Sequence, residues 1–179
     1  MRVRGRLIDN KPQGLCLADG SDLVIHDMRI DLLVDPETFT IVAVENEMMV
    51  RPYSHCEAIL PNYQALVGVS ITRGYTSQIK KLFGGPNGCS HMGALLQAMG
   101  PVAVQATWSL VNLHKSPESR LDNSEDPEEQ ERRLRLNTNS CHVWQEDGEH
   151  IELIKKGEWV LPDWESERLR SLGVEVAEG

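Results

Sequence analysis

Leu23-Val24-Ile25-His26-Asp27-Met28-Arg29-Ile30-Asp31-Leu32-Leu33-Val34 is the stretch that decides the fold class. Val24, His26, Met28, Ile30, Leu32 and Val34 fall on one face of an extended chain. Asp27, Arg29 and Asp31 fall on the other. Alternation with period two describes a strand with one dry and one wet face. Asp35-Pro36-Glu37-Thr38 follows, with proline at the second position of a tight turn. Apolar alternation resumes over residues 39–49, so 23–34 and 39–49 read as an antiparallel hairpin. His26 is the one polar side chain on the apolar face. It is either a hydrogen-bonded core histidine or a base or ligand facing a pocket.

Upstream, residues 2–9 alternate weakly and read as a first strand, with turn signals at 10–14 and at Asp19-Gly20-Ser21. Downstream, residues 51–66 read as a short helix entered near Ser54 and stopped at Pro61. Residues 67–72 read as a short strand or extended link, and 74–83 as a short helix with Ile79, Leu82 and Phe83 inward. Gly84 to Gly88 is a sharp glycine loop. From Ser90, Met92, Leu95, Leu96, Met99, Val102, Ala103, Ala106, Leu110 and Leu113 recur at three- and four-residue steps, which predicts a core helix to about His114. Gly100-Pro101 predicts a kink inside it.

Residues 115–137 are charged and poor in large apolar side chains, which predicts an exposed acidic linker, helical over 127–135. Cys141–Trp144 and Ile151–Ile154 read as strands around an Asp147-Gly148 turn. The expected architecture is α+β: an antiparallel sheet of about five or six strands with one long kinked helix packed across it. It forms one domain over 1–160, followed by a C-terminal tail over 161–179, with Trp159 and Trp164 docking the end of the chain on the body.

The 179 residues carry 27 acidic and 18 basic side chains, a net charge of −9. Broad nucleic-acid or anionic-membrane binding needs a basic face and is not expected. No apolar run approaches the roughly 18 residues of a membrane span, and the N-terminal stretch has no apolar signal core. Cys16, Cys56, Cys89 and Cys141 are far apart and form no CxxC pair. They read as reduced thiols of a cytoplasmic protein, with Cys16 inert between Leu15 and Leu17.

Gly84-Gly85-Pro86-Asn87-Gly88-Cys89-Ser90-His91 carries the strongest chemical signal. It sets a thiol and an imidazole two positions apart at a helix start, where unpaired amides and the dipole favour negative charge. Such a thiol can serve as metal ligand or nucleophile, and the imidazole as second ligand or base. His55-Cys56 and Cys141-His142 are further Cys/His pairs. Glu45 and Glu47 stand where the second strand stops being apolar. One of them points toward the same pocket, or both are exposed strand-end carboxylates. Arg73-Gly74-Tyr75 is a weaker candidate for holding an anionic group. Walker, GxGxxG, GxSxG and HExxH patterns are missing.

Cys56 and Pro61, Leu66-Val67-Gly68-Val69, Gly74-Tyr75, the GGxxGCxH block at 84–91 and Ser140-Cys141 together resemble the bacterial domain-of-unknown-function family DUF2889. The resemblance covers residues 22–155. It implies no activity. It does imply that Cys56, Cys89, His91 and Cys141 occupy motif positions. Ser90-His91-Met92 departs from the family's usual threonine and leucine there.

Three function classes follow. The first is a metal-dependent enzyme, a lyase or hydrolase of a compact small-molecule substrate. Zinc or iron would be held by Cys56, Cys89 and His91 with Cys141 or His26 as a further ligand. His26, Tyr75 and Glu45 are its candidate catalytic residues, and Met28, Ile30, Tyr53, Tyr75 and Met92 its expected pocket lining. The second is a non-enzymatic carrier of metal or an iron–sulfur cluster, docking through the acidic 117–131 stretch. The third is a metal-free enzyme with Cys89 as nucleophile. A homodimer fits the size class of small bacterial enzymes.

Overall fold

The expected hairpin is the centre of the sheet. In a computed structural model, which describes residues 1–12, 22–72, 74–111, 116, 127–158 and 161–176, β2 (Leu23–Asp35) pairs antiparallel with β3 (Thr40–Val50). β1 (Arg2–Lys11) pairs antiparallel with the other edge of β2, giving the order β1-β2-β3. Met28, Ile30, Leu32 and Val34 are fully buried on the inner face, as their period requires. The outer face is a charge ladder. Arg4 donates to both Asp31 oxygens at 2.8 Å, Arg6 holds Asp27 with two bonds, and Arg29 pairs with Glu47 at 3.2 Å.

Three strands form among the described residues, not the expected five or six. Residues 67–72 contribute only an isolated bridge, Ser70 to Thr40. They lie along the free edge of β3, where Ile41 N–H donates to Val69 O and Gly68 N–H to Ile41 O. The preceding 3-10 segment, Ser54–Leu66, passes through Pro61 without stopping. Asn46 donates to Leu60 O and Gln64 to Val44 O, so side-chain amides tie this segment to β3 and cover an otherwise open edge.

The remaining predicted strands are not strands. Residues 142–144 make a 3-10 turn, and Glu149–Lys156 is a helix, α4 below. A four-residue apolar run cannot distinguish strand from helix by itself. Its flanks can: acids lead, lysines close, and Gly157 (φ 69°) takes the left-handed position that lets Glu158 N–H reach Leu153 O.

One long kinked helix also gives way to a set of five α-helices among the described residues. α1 (Tyr75–Phe83) buries Tyr75, Ile79 and Phe83. α2 (Ser90–Val111) continues through Pro101, whose ring is on the exposed side. Its buried stripe is Met92, Leu96, Met99, Ala103 and Thr107, while Val102, expected inward, is exposed. α3 (Pro127–Asn137), α4 (Glu149–Lys156) and α5 (Asp163–Ser171) follow.

The chain divides into two compact units, Met1–Leu113 and His114–Gly179. The break falls at the charged stretch, which lacks the apolar side chains to extend the first core. The first unit's core gathers β2, β3, Tyr63, Leu66, α1 and α2. The second unit buries Ile151, Ile154, Leu169 and Val174, so the expected tail carries a helix with a buried face. Cys16, Arg73, His114, residues 117–126 and Trp159 lie outside the described residues.

Candidate metal centre

Asp9 and His26 sit directly opposite each other in the β1–β2 ladder. Both have the inner-face parity, Asp9 with Val3, Gly5 and Leu7, His26 with Met28 and Ile30. Ladder irregularities flank the pair: one between Asp9 and Asn10 on the β1 side, one between Asp27 and Met28 on the β3 side. Such bulges re-aim side chains at the ends of sheets. His26 Nδ1 lies 3.0 Å from Asp9 Oδ2.

α2 supplies the third group. It packs along β1, where Gly5 admits it: a Cβ there would lie 2.5 Å from Met99 Sδ. Eight helical residues from Met99 back to His91 span about 12 Å. Four strand residues from Gly5 to Asp9 span about 13 Å. Met99 on Gly5 therefore brings His91 to Asp9 and His26. The His26 and His91 rings stack with centroids 3.8 Å apart and planes tilted by 32°. One donor atom from each of Asp9, His26 and His91 lies within 4.8 Å of the others, and all three residues are half-buried.

The charge states suit a cation. The hydrogen bond to His26 holds the Asp9 carboxyl below its usual range, so it is an anion. Burial first, and the neighbouring His26 second, push the His91 imidazole down, toward its neutral, ligating form. Lys11 closes the rim at 3.4 Å from Asp9 Oδ1.

Cys89 stands beside this cluster, its sulfur 3.9 Å from His91 Nδ1. Its backbone is fixed at the start of α2: its N–H donates to the fully buried Tyr63 hydroxyl at 2.9 Å, and its carbonyl accepts from Gly93. Gly88 makes this entry feasible, because a Cβ there would collide with Phe83.

Of the residues singled out in the sequence, His26, Cys89 and His91 are brought together. Cys56 packs against the core and is not among the converging donors. Cys141 is exposed in the second unit. Glu45 is 64% exposed on the outer sheet face, 3.7 Å from Arg2, and faces away from His26. Tyr75 is a core residue; its hydroxyl is buried with no hydrogen-bond partner among the described residues, and burial pushes its pKa well above the ordinary phenol range. Met28, Ile30, Tyr75 and Met92 belong to the buried core of the first unit, and Tyr53 is 73% exposed.

Asp9 escapes the sequence reading because β1 alternates weakly. The available signal is its parity with Val3, Gly5 and Leu7, which places a carboxylate on the same face as His26.

Fold and cluster define a small α+β unit with a carboxylate and two imidazoles at the end of its sheet. The chain belongs to the family described as protein of unknown function (DUF2889), whose model matches residues 1–105. That span starts earlier and ends sooner than the expected 22–155. It contains Asp9, His26, Cys89 and His91, and leaves Cys141 outside. No curated protein and no solved structure matches the chain.

Proposed function

We propose that the first unit binds a divalent transition metal, zinc or ferrous iron, through Asp9, His26 and His91, and uses it in hydrolase or lyase chemistry on a small molecule. The observation that supports this is the convergence of one carboxylate and two imidazoles from β1, β2 and α2 within 4.8 Å. The 3.0 Å separation of His26 Nδ1 and Asp9 Oδ2 suits two neighbouring ligands of one ion as well as it suits a hydrogen bond. Three protein donors leave coordination positions open. A metal there supplies Lewis acidity and an activated water. The chain's part is to hold the Asp9 carboxyl as an anion and the His91 imidazole toward its neutral form, with Lys11 at the rim.

Partial exposure of all three donors favours a second reading, a carrier that surrenders its metal. An iron–sulfur carrier has no support among the described residues, where no three thiols converge. No described helix is long and apolar enough to cross a membrane. A cytoplasmic location and a homodimer remain parts of the proposal.

A chelator challenge separates the two readings. The zinc-loaded full chain is mixed with a colorimetric chelator, with and without an anionic zinc ligand such as azide. The enzyme reading predicts slow release, slowed further by the anion occupying an open position. Release within mixing time supports the carrier.

A further inference from the structure

Cys89 touches His91 but is not one of the three converging donors. Its placement is nonetheless tightly specified. The Tyr63 hydroxyl and Gly93 fix its backbone on either side of the peptide, and its sulfur then meets Nδ1 of the imidazole two residues on. A metal-bound histidine has one ring nitrogen on the metal and its other N–H on an acceptor, which sets tautomer and ring orientation.

We infer that Cys89 is a positioning residue for His91: the Nδ1–H of His91 donates to the Cys89 sulfur, leaving Nε2 as the metal-binding nitrogen. The inference rests on the metal reading above and deepens it. It removes Cys89 from the ligand set that the sequence suggests, and gives the cysteine a reason to sit beside an oxygen- and nitrogen-donor site. The two imidazoles then differ in kind. His26 turns Nδ1 to Asp9, within the donor group, whereas His91 turns Nδ1 to a sulfur outside it.

The test is cobalt(II) binding by the full chain, wild type and with Cys89→Ser or Cys89→Ala. The backbone bond to Tyr63 survives either substitution, and the melting temperature of each variant checks that it folds. The expected wild-type spectrum has visible d–d bands and no sulfur-to-cobalt charge-transfer band that Cys89→Ser abolishes. Cys89→Ala weakens cobalt binding about 10- to 100-fold, and Cys89→Ser, which keeps an acceptor, recovers part of that loss. A charge-transfer band lost in Cys89→Ser makes Cys89 a ligand and overturns the inference alone. Unchanged affinity in Cys89→Ala overturns it too. A wild type that binds no cobalt overturns the metal reading itself, and this inference with it.

Discussion

His26 of β2 and His91 of α2 lie ring against ring, 3.8 Å between centroids, beside the carboxylate of Asp9. Burial, and then the neighbouring His26, hold the His91 imidazole toward its neutral form. The neutral imidazole is the form that binds a metal.

The pH dependence of stability follows with a definite sign. The folded-state pKa of His91 is depressed, so the unfolded chain takes up its proton first. His91 therefore leaves stability intact above about pH 6.5, and stability falls as pH drops below that, through the folded value. Urea midpoints measured from neutral to mildly acidic pH fall more steeply in wild type than in His91→Gln. Equal slopes would contradict the assignment.

Tyr75 gives the clearest contrast with a catalytic reading. Its buried hydroxyl has no hydrogen-bond partner among the described residues, and removing an unsatisfied polar group is neutral or favourable. Tyr75→Phe is expected to hold or raise stability, by up to about 1 kcal/mol, and to leave metal affinity unchanged. A loss of metal binding in Tyr75→Phe would assign the hydroxyl a role at the site.

Gly5 controls the approach of α2. A Cβ there meets Met99 Sδ at 2.5 Å and Leu95 Cδ1 at 3.0 Å, so Gly5→Val crowds two side chains of the helix against β1 and they have to repack or the helix shift. The expected cost is about 1–3 kcal/mol by denaturant unfolding. Because His91 rides on the same helix, metal affinity falls as well. A stable variant with unchanged affinity would break the link between this contact and the site.

On the outer sheet face, Asp31 is 3% exposed and Asp27 13%, each held by a bidentate arginine. The drier carboxylate depends more on its bidentate partner, because its second cation, Arg2, stands off at 3.7 Å and is more than half exposed. Arg4→Ala should lower the melting temperature further than Arg6→Ala, and the reverse order would contradict this account.

The central hairpin is readable from sequence because the Met28–Ile30–Leu32–Val34 alternation states both the strand and its buried face. α1 and α2 are readable for the same reason at helical period. What sequence conceals has physical causes. Pro61 stops an α-helix but not a chain of 3-10 turns tied to β3 by the side-chain amides of Asn46 and Gln64. Ile151–Ile154 is too short for its period to decide, and only the flanking charges and Gly157 mark it as helix. At the site, Cys89 and His91 announce themselves as neighbours after a glycine loop, and His26 as a polar residue on a dry face. Their meeting depends on α2 running back along β1 from Gly5, a tertiary contact with no local signature. Asp9 becomes visible only once that pairing is known. The cysteines suggest a thiolate site, and the geometry supports a carboxylate–imidazole one.

The most direct measurement is the metal content of the full chain, purified without added metal, by inductively coupled plasma mass spectrometry. Wild type, His26→Ala and Cys56→Ala are compared. The account predicts near-stoichiometric zinc or iron in wild type and in Cys56→Ala, and its loss in His26→Ala. Metal lost in Cys56→Ala but retained in His26→Ala, or absent from wild type after anaerobic purification and reloading, would contradict it.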